Sequence, residues 1–189
     1  TIPATPFILA DKEVAFVGEI VVMVVAATRY VAEDAASLVE IDYEPLPVVA
    51  DVLGAITPGG PTVRSELSTN VLATYRVEYG DTDAAFAGDA LVLSDVITLH
   101  RGGGHPMEGR GIVVEPRSSD GSLNVWASTQ MPNDLQQAVI AATGANDDRV
   151  RVISPDIGGG FGPKYCVYPE EIAVAGAAKL LDCPLKWIE

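Results

Sequence analysis

Arg149-Val-Arg-Val-Ile-Ser-Pro-Asp-Ile-Gly-Gly-Gly-Phe-Gly-Pro-Lys164 runs from a β-branched segment into four glycines within five positions. Arg149 to Ser154 reads as a strand, the glycines as a turn, and Pro169 as the first residue of a helix ended by Cys183-Pro184. Glu170 and Glu171 fall in the first turn of that helix, where its dipole favours negative charge. The glycines allow positive φ and close approach of backbone to a ligand, and amides bared by such a turn can form an anion-binding concavity. Two phosphate motifs fail against it. A Walker loop needs Gly-Lys followed by Ser or Thr, whereas Pro163 separates Gly162 from Lys164 and Tyr165 follows. A dinucleotide fingerprint needs Gly or Ala at position 163 and a helix opening directly from the loop. Composition alone leaves open a tight connection in which Phe161 is a core plug.

The pattern extends outward from this turn. On its N-terminal side, Gly111 to Glu115 and Leu123 to Ser128 read as strands joined by the turn Ser119-Asp-Gly121. Asn133 caps a helix carrying Leu135, Val139 and Ala142, and Gly144 closes it. Between the strand and this helix, Ser128-Thr-Gln130 places an amide, both donor and acceptor, at a loop; an ordinary strand-to-helix turn is the alternative. Further back, Ala73, Tyr75, Val77 and Tyr79 alternate with polar residues as a half-buried strand, Asp81 caps a short helix ended by Gly88, and Ala90 to Leu99 reads as a strand. Gly54 to Glu66, containing Pro58-Gly-Gly-Pro61, reads as a loop or linker. Glu19 to Ala26 is a continuous β-branched run suited to a strand buried on both faces. Thr28 caps a following helix with Val31, Ala35 and Leu38 along one face, and Ile41-Asp-Tyr43 starts a strand stopped by Pro45 and Pro47. The class is α+β.

Bulk properties narrow the function. The chain has 189 residues, 48% hydrophobic and 20% charged, which suits one or two folded domains. A net charge of -14 argues against nucleic acid, because phosphate binding needs clustered Lys and Arg. Cys166 and Cys183 are too few for a disulfide framework and match no zinc spacing, so reduced thiols in a cytoplasmic protein are expected. The longest apolar run, Ile20 to Ala27, is too short to span a bilayer. Thr1-Ile-Pro-Ala-Thr-Pro-Phe7 has no basic region and no initiator Met, so no signal peptide is expected and the chain reads as a piece of a larger protein.

Taken in order, several segments resemble the xanthine dehydrogenase, aldehyde oxidase and carbon monoxide dehydrogenase superfamily. Phe16-Val-Gly-Glu19, Ala32-Glu-Asp-Ala35 and Val39-Glu-Ile-Asp-Tyr-Glu-Pro-Leu-Pro47 look like the second half of its α/β hammerhead domain. Pro106-Met-Glu-Gly-Arg110, Ser128-Thr-Gln130, Arg149-Val-Arg-Val152, Pro155 to Gly162 and Pro184-Leu-Lys-Trp187 look like the start of its molybdopterin-binding domain. The resemblance therefore implies a partial α/β hammerhead domain over 1–53, a linker over 54–70, and the N-terminal part of a molybdopterin-binding domain over 71–189. It implies that Gln130 hydrogen-bonds an oxo ligand of molybdenum, that Phe161 and Gly162 lie beside the metal, and that Gly159 and Gly160 permit the close approach. The family holds its molybdenum through the pterin dithiolene, so no protein metal ligand is expected, and His100, His105, Cys166 and Cys183 are read as structural.

The implied activity is that of a molybdenum-dependent oxidoreductase large subunit, hydroxylating an aldehyde, N-heterocycle or similar small molecule with water-derived oxygen. The expected cofactor is molybdenum-molybdopterin in its cytosine dinucleotide form. FAD and 2Fe–2S clusters would reside on an FAD-binding subunit and an iron–sulfur subunit, or on absent segments, completed by the rest of the large subunit. The family's catalytic Glu lies beyond Glu189, so no catalytic residue is assigned in this chain, and Glu108, Glu170 and Glu171 are read as turn and helix-start residues. The alternative is a non-catalytic assembly module of such a complex. Xanthine dehydrogenases tend to carry Gly and Glu where Pro163 and Tyr165 stand, which turns the resemblance away from purine oxidation and towards carbon monoxide dehydrogenase-like large subunits. Gly109 replaces a customary Pro, which affects only a turn.

Overall fold

The computed structural model describes residues 8–100 and 102–189; the reading of Thr1 to Phe7 lies outside them. The described residues divide into two compact units, 8–45 with 103–189, and 46–100 with 102.

The larger unit is built on a four-stranded sheet. Its strands are β1 (Gly111–Arg117), β2 (Ser122–Ala127), β3 (Val150–Ile153) and β4 (Leu185–Ile188), in the order β3-β2-β1-β4. Strand β1 pairs antiparallel with β2 and β4, and β2 pairs parallel with β3. The register sets Ile112 opposite Ala127 and Trp187, and Val114 opposite Val125 and Leu185. Alternation then sends Ile112, Val114, Leu123, Val125, Ala127 and Val150 to one face. Two helices cover that face: α4 (Pro132–Thr143), through Leu135 and Val139, and α5 (Pro169–Leu181), through Val174, Ala175 and Ala178. Fully burying an aliphatic side chain of this size stabilises by about 1.5–3 kcal/mol, so this shared face dominates the unit's stability. The α+β class is as expected.

Helix ends follow local chemistry with two differences. Helix α4 starts at Pro132, not after Asn133, because Pro at the first helical position lacks the N–H that would be left unpaired. Its last turn closes on Gly144 at φ 64°, as anticipated, and Ala142 is exposed while Leu135 and Val139 carry the buried face. Helix α5 stops one residue before the expected Cys183, at a left-handed Asp182. At its start the Glu171 carboxylate accepts from the Tyr168 amide at 2.9 Å. In the N-terminal part of this unit, α1 (Arg29–Ala36) is capped by Thr28, whose hydroxyl accepts from the Val31 amide at 3.3 Å. No residue of α1 is buried, and Val31 and Leu38 are exposed. Residues 19–26 and 41–43 enter no ladder among the described residues; the Ala10 amide donates to the Ile20 carbonyl and the Glu19 amide to the Phe16 carbonyl. The expected strands are thus absent as paired elements.

The smaller unit holds two short helices. Asp51 caps α2 (Val52–Ala55) and Asp81 caps α3 (Thr82–Ala87), which Gly88 ends as expected. The proline-glycine loop is closed by Asn70, which donates to the Ala55 and Pro61 carbonyls at 2.9 Å and accepts from the Val63 amide. Residues 73–79 and 90–99 form no ladder among the described residues, and Val77 and Tyr79 are 90% and 95% exposed. Alternation dictates only which way side chains point. A strand also needs a second backbone to take its N–H and C=O groups, and none is in register here.

Candidate functional site

The glycine turn leaves β3 and returns past the end of β2, which the main chain enforces. The Gln130 amide donates to the Lys164 carbonyl at 2.8 Å, and the Ser154 hydroxyl donates to the Thr129 carbonyl at 2.8 Å. Thr129 is buried, and its hydroxyl accepts from the Met131 amide at 3.0 Å. The segment Ser128-Thr-Gln130 is therefore pinned between the two ends of the loop.

This arrangement brings Gln130 and Gly160 into contact. A Cβ built on Gly160 would overlap the Gln130 carboxamide carbon and oxygen and lie 2.9 Å from its nitrogen. Any side chain at 160 would therefore displace Gln130. Gly159 and Gly162 take φ 93° and 99°. Between them Phe161 takes φ 48°, a conformation that costs a non-glycine residue roughly 1–2 kcal/mol. Phe161 is 74% exposed, so it is no core plug. It is the turn's aromatic face, with its backbone and Cβ against Gly104 and its ring against Gly159. The amides of Gly160, Phe161 and Gly162 donate to no acceptor among the described residues. An exposed carboxamide, an aromatic ring and three unengaged amides thus meet at one turn, a set that can hold an oxygen-rich polar group.

Glu108, expected to be a turn residue, does more. Its Oε2 accepts from Lys164 Nζ at 2.6 Å and from the Gly158 amide at 2.7 Å. The hydrogen bond from Lys164, then that from Gly158, hold its carboxyl below the usual carboxylate range. Lys164 is 1% exposed. No sequence signal marks this pair, because the two residues lie on separate loops 56 positions apart.

Arg110 organises the neighbouring edge. Its guanidinium lies 3.8 Å over the Tyr168 ring and 5.4 Å from that of Trp187, and it donates to Glu189 at 2.8 Å and Glu170 at 3.2 Å. Burial works against its charge, yet the bonds to Glu189 and Glu170 outweigh this and push its pKa above the ordinary value. Glu170 is thus a helix-start residue that also carries an ion pair. His100, His105 and Cys166 are exposed, Cys183 is half-buried, and both thiols are free. Among the described residues no group of three or more His, Cys, Asp or Glu is placed to hold a metal, and no helix is long and apolar enough to cross a membrane.

Residues 63–189 match the molybdopterin cofactor-binding domain family, and residues 2–47 match the aldehyde oxidase and xanthine dehydrogenase a/b hammerhead domain. The chain is 41% identical over 182 residues to the nicotine 6-hydroxylase large subunit of Paenarthrobacter nicotinovorans, covering 96% of this chain and 22% of that protein. It is 37% identical over 195 residues to the carbon monoxide dehydrogenase large chain of Afipia carboxidovorans, covering 96% and 24%. Among solved structures, quinoline 2-oxidoreductase from Pseudomonas putida superposes with a TM-score of 0.89 at 35% identity, over 96% of this chain and 23% of that one. The chain thus spans about a quarter of the length of the relatives it matches. With its turn geometry and these matches, the chain belongs to the molybdopterin cofactor-binding domain family of the xanthine dehydrogenase, aldehyde oxidase and carbon monoxide dehydrogenase large subunits.

Proposed function

We propose that this chain supplies part of the molybdenum-molybdopterin pocket of a hydroxylase large subunit acting on an aldehyde, an N-heterocycle or a similar small molecule. The observation that carries the reading is the contact between the Gln130 carboxamide and Gly160, beside an exposed, left-handed Phe161. The names of the relatives favour an N-heterocycle, since nicotine and quinoline both contain one.

The Gln130 carboxamide and the main-chain amides of Phe161 and Gly162 would hold the cofactor by hydrogen bonds. Gly159 and Gly160 keep that approach open, and the Phe161 ring forms a wall that excludes water from the reacting face. When bound, the cofactor supplies two-electron oxidation of an electron-poor carbon with oxygen derived from water. The proton-accepting carboxylate, the FAD and 2Fe–2S components and the remaining large-subunit segments come from elsewhere in a multi-subunit assembly. The cofactor is proposed in its cytosine dinucleotide form, and the assembly in the cytoplasm, where free thiols such as Cys166 persist. The domain division of 1–53, 54–70 and 71–189 is proposed on the order of the two family matches.

Metal and pterin analysis of the natural polypeptide carrying this sequence tests the reading. One molybdenum and one pterin per chain are expected, both reduced in Gln130→Ala. A wild-type protein without molybdenum overturns it.

A further inference from the structure

We infer that Lys164 and Glu108 form a positioning pair that sets the glycine turn and Gln130 in register. The inference rests on the pocket proposed above but stands on different atoms. Lys164 acts in two directions at once. Its carbonyl accepts the Gln130 amide at 2.8 Å, and its Nζ reaches Glu108 at 2.6 Å. The same Glu108 oxygen accepts from the Gly158 amide at 2.7 Å, and the Glu108 amide donates back to the Gly158 carbonyl at 3.4 Å. A Cβ on Gly158 would stand 2.6 Å from that of Glu108, so the two backbones meet only because residue 158 is glycine. Three segments thus meet at Lys164: the one around 130 through its carbonyl, and those around 108 and 158 through its buried ammonium group and the Glu108 carboxylate.

Stability alone is a poor reason for such a pair. Withdrawing an ammonium from water costs several kcal/mol, and an apolar residue of similar volume commonly does as well or better. What a directional pair adds is a fixed geometry: one carboxylate oxygen holds Lys164 Nζ and the Gly158 amide at the same point. The Gly158 amide is thereby engaged by Glu108, whereas the amides of residues 160–162 donate to no acceptor among the described residues.

The test is amide hydrogen exchange of the peptide spanning 157–164 in the natural polypeptide, in wild type, Lys164→Met, Lys164→Arg and Glu108→Gln. Losing the pair should raise exchange at Gly158 by about tenfold in K164M, with K164R recovering most of the protection. E108Q removes only the charge from a partly exposed partner, so it decides the matter if K164M does not fold; its exchange should rise by about threefold or more. Wild-type exchange in E108Q, or in a folded K164M, overturns the positioning role. So does K164R behaving like K164M. Molybdenum and pterin content, measured on the same samples, reports on the pocket separately: faster exchange in the variants, together with a wild type that carries neither molybdenum nor pterin, would leave the pair standing and remove the proposed function.

Discussion

Gly160→Ala separates the site from the fold. The added methyl overlaps the Gln130 carboxamide, so the end of that side chain must retreat by about 1 Å to reach an ordinary contact. Gln130 is exposed and can swing outward, at roughly 0.5–1.5 kcal/mol if it leaves its rotamer. Gly160 is not among the positive-φ glycines, so alanine fits the backbone there. Replacing glycine at such a position returns about 0.4–1 kcal/mol by restricting the unfolded chain. The two effects offset, and stability should change by less than about 1 kcal/mol. Function should respond differently. A displacement near 1 Å of a positioning group costs on the order of 100-fold in rate when it acts on the reacting geometry. Denaturant unfolding together with turnover and cofactor content of the assembled enzyme would read both effects. An unfolding midpoint near wild type with turnover reduced at least tenfold is expected. Wild-type turnover and cofactor content in G160A would refute the reasoning that the Gln130–Gly160 contact belongs to the pocket.

Two further predictions concern the scaffold. Leu135→Ala empties a fully buried position between α4 and the sheet and should cost about 2–5 kcal/mol, read as a lower calorimetric Tm; a loss under about 1 kcal/mol would mean the helix does not rest on that face. Burial raises the Glu171 carboxyl above its ordinary value of 4.5, so the folded state holds its proton more tightly than the unfolded chain does. Stability from this group is therefore full at acid pH and falls as pH rises from about 4.5 through the raised folded value. Glu171→Gln keeps an acceptor for the Tyr168 amide without the charge, so the variant should gain on wild type across that window. A Tm difference that stays flat from acid to neutral pH would contradict this.

Glu108 and Lys164 illustrate how far a one-dimensional reading reaches. Each is visible as a residue type, and its neighbours in sequence suggest only a local role, in a turn for Glu108 and in a failed phosphate motif for Lys164. The ion pair between them spans 56 positions, and no periodicity or cap connects two such loops. The same holds for β4. Pro184-Leu-Lys-Trp187 carries part of the family resemblance, yet its strand character comes only from pairing with β1. In the other direction, runs 19–26, 73–79 and 90–99 had strong strand patterns and remain unpaired among the described residues.

By itself the sequence determined what depends on near neighbours: the caps at Thr28 and Asp81, the glycine stop at 144, the alternation of β1 and β2, and the four glycines that give the turn its freedom. These are short-range effects of side-chain geometry on adjacent backbone. The tertiary structure alone decided the strand order β3-β2-β1-β4, the exposure of Phe161, the burial of Lys164 and the meeting of Gln130 with Gly160. Each of these requires two distant segments to desolvate one another, and that free energy depends on which surfaces meet, a property no single stretch of chain carries.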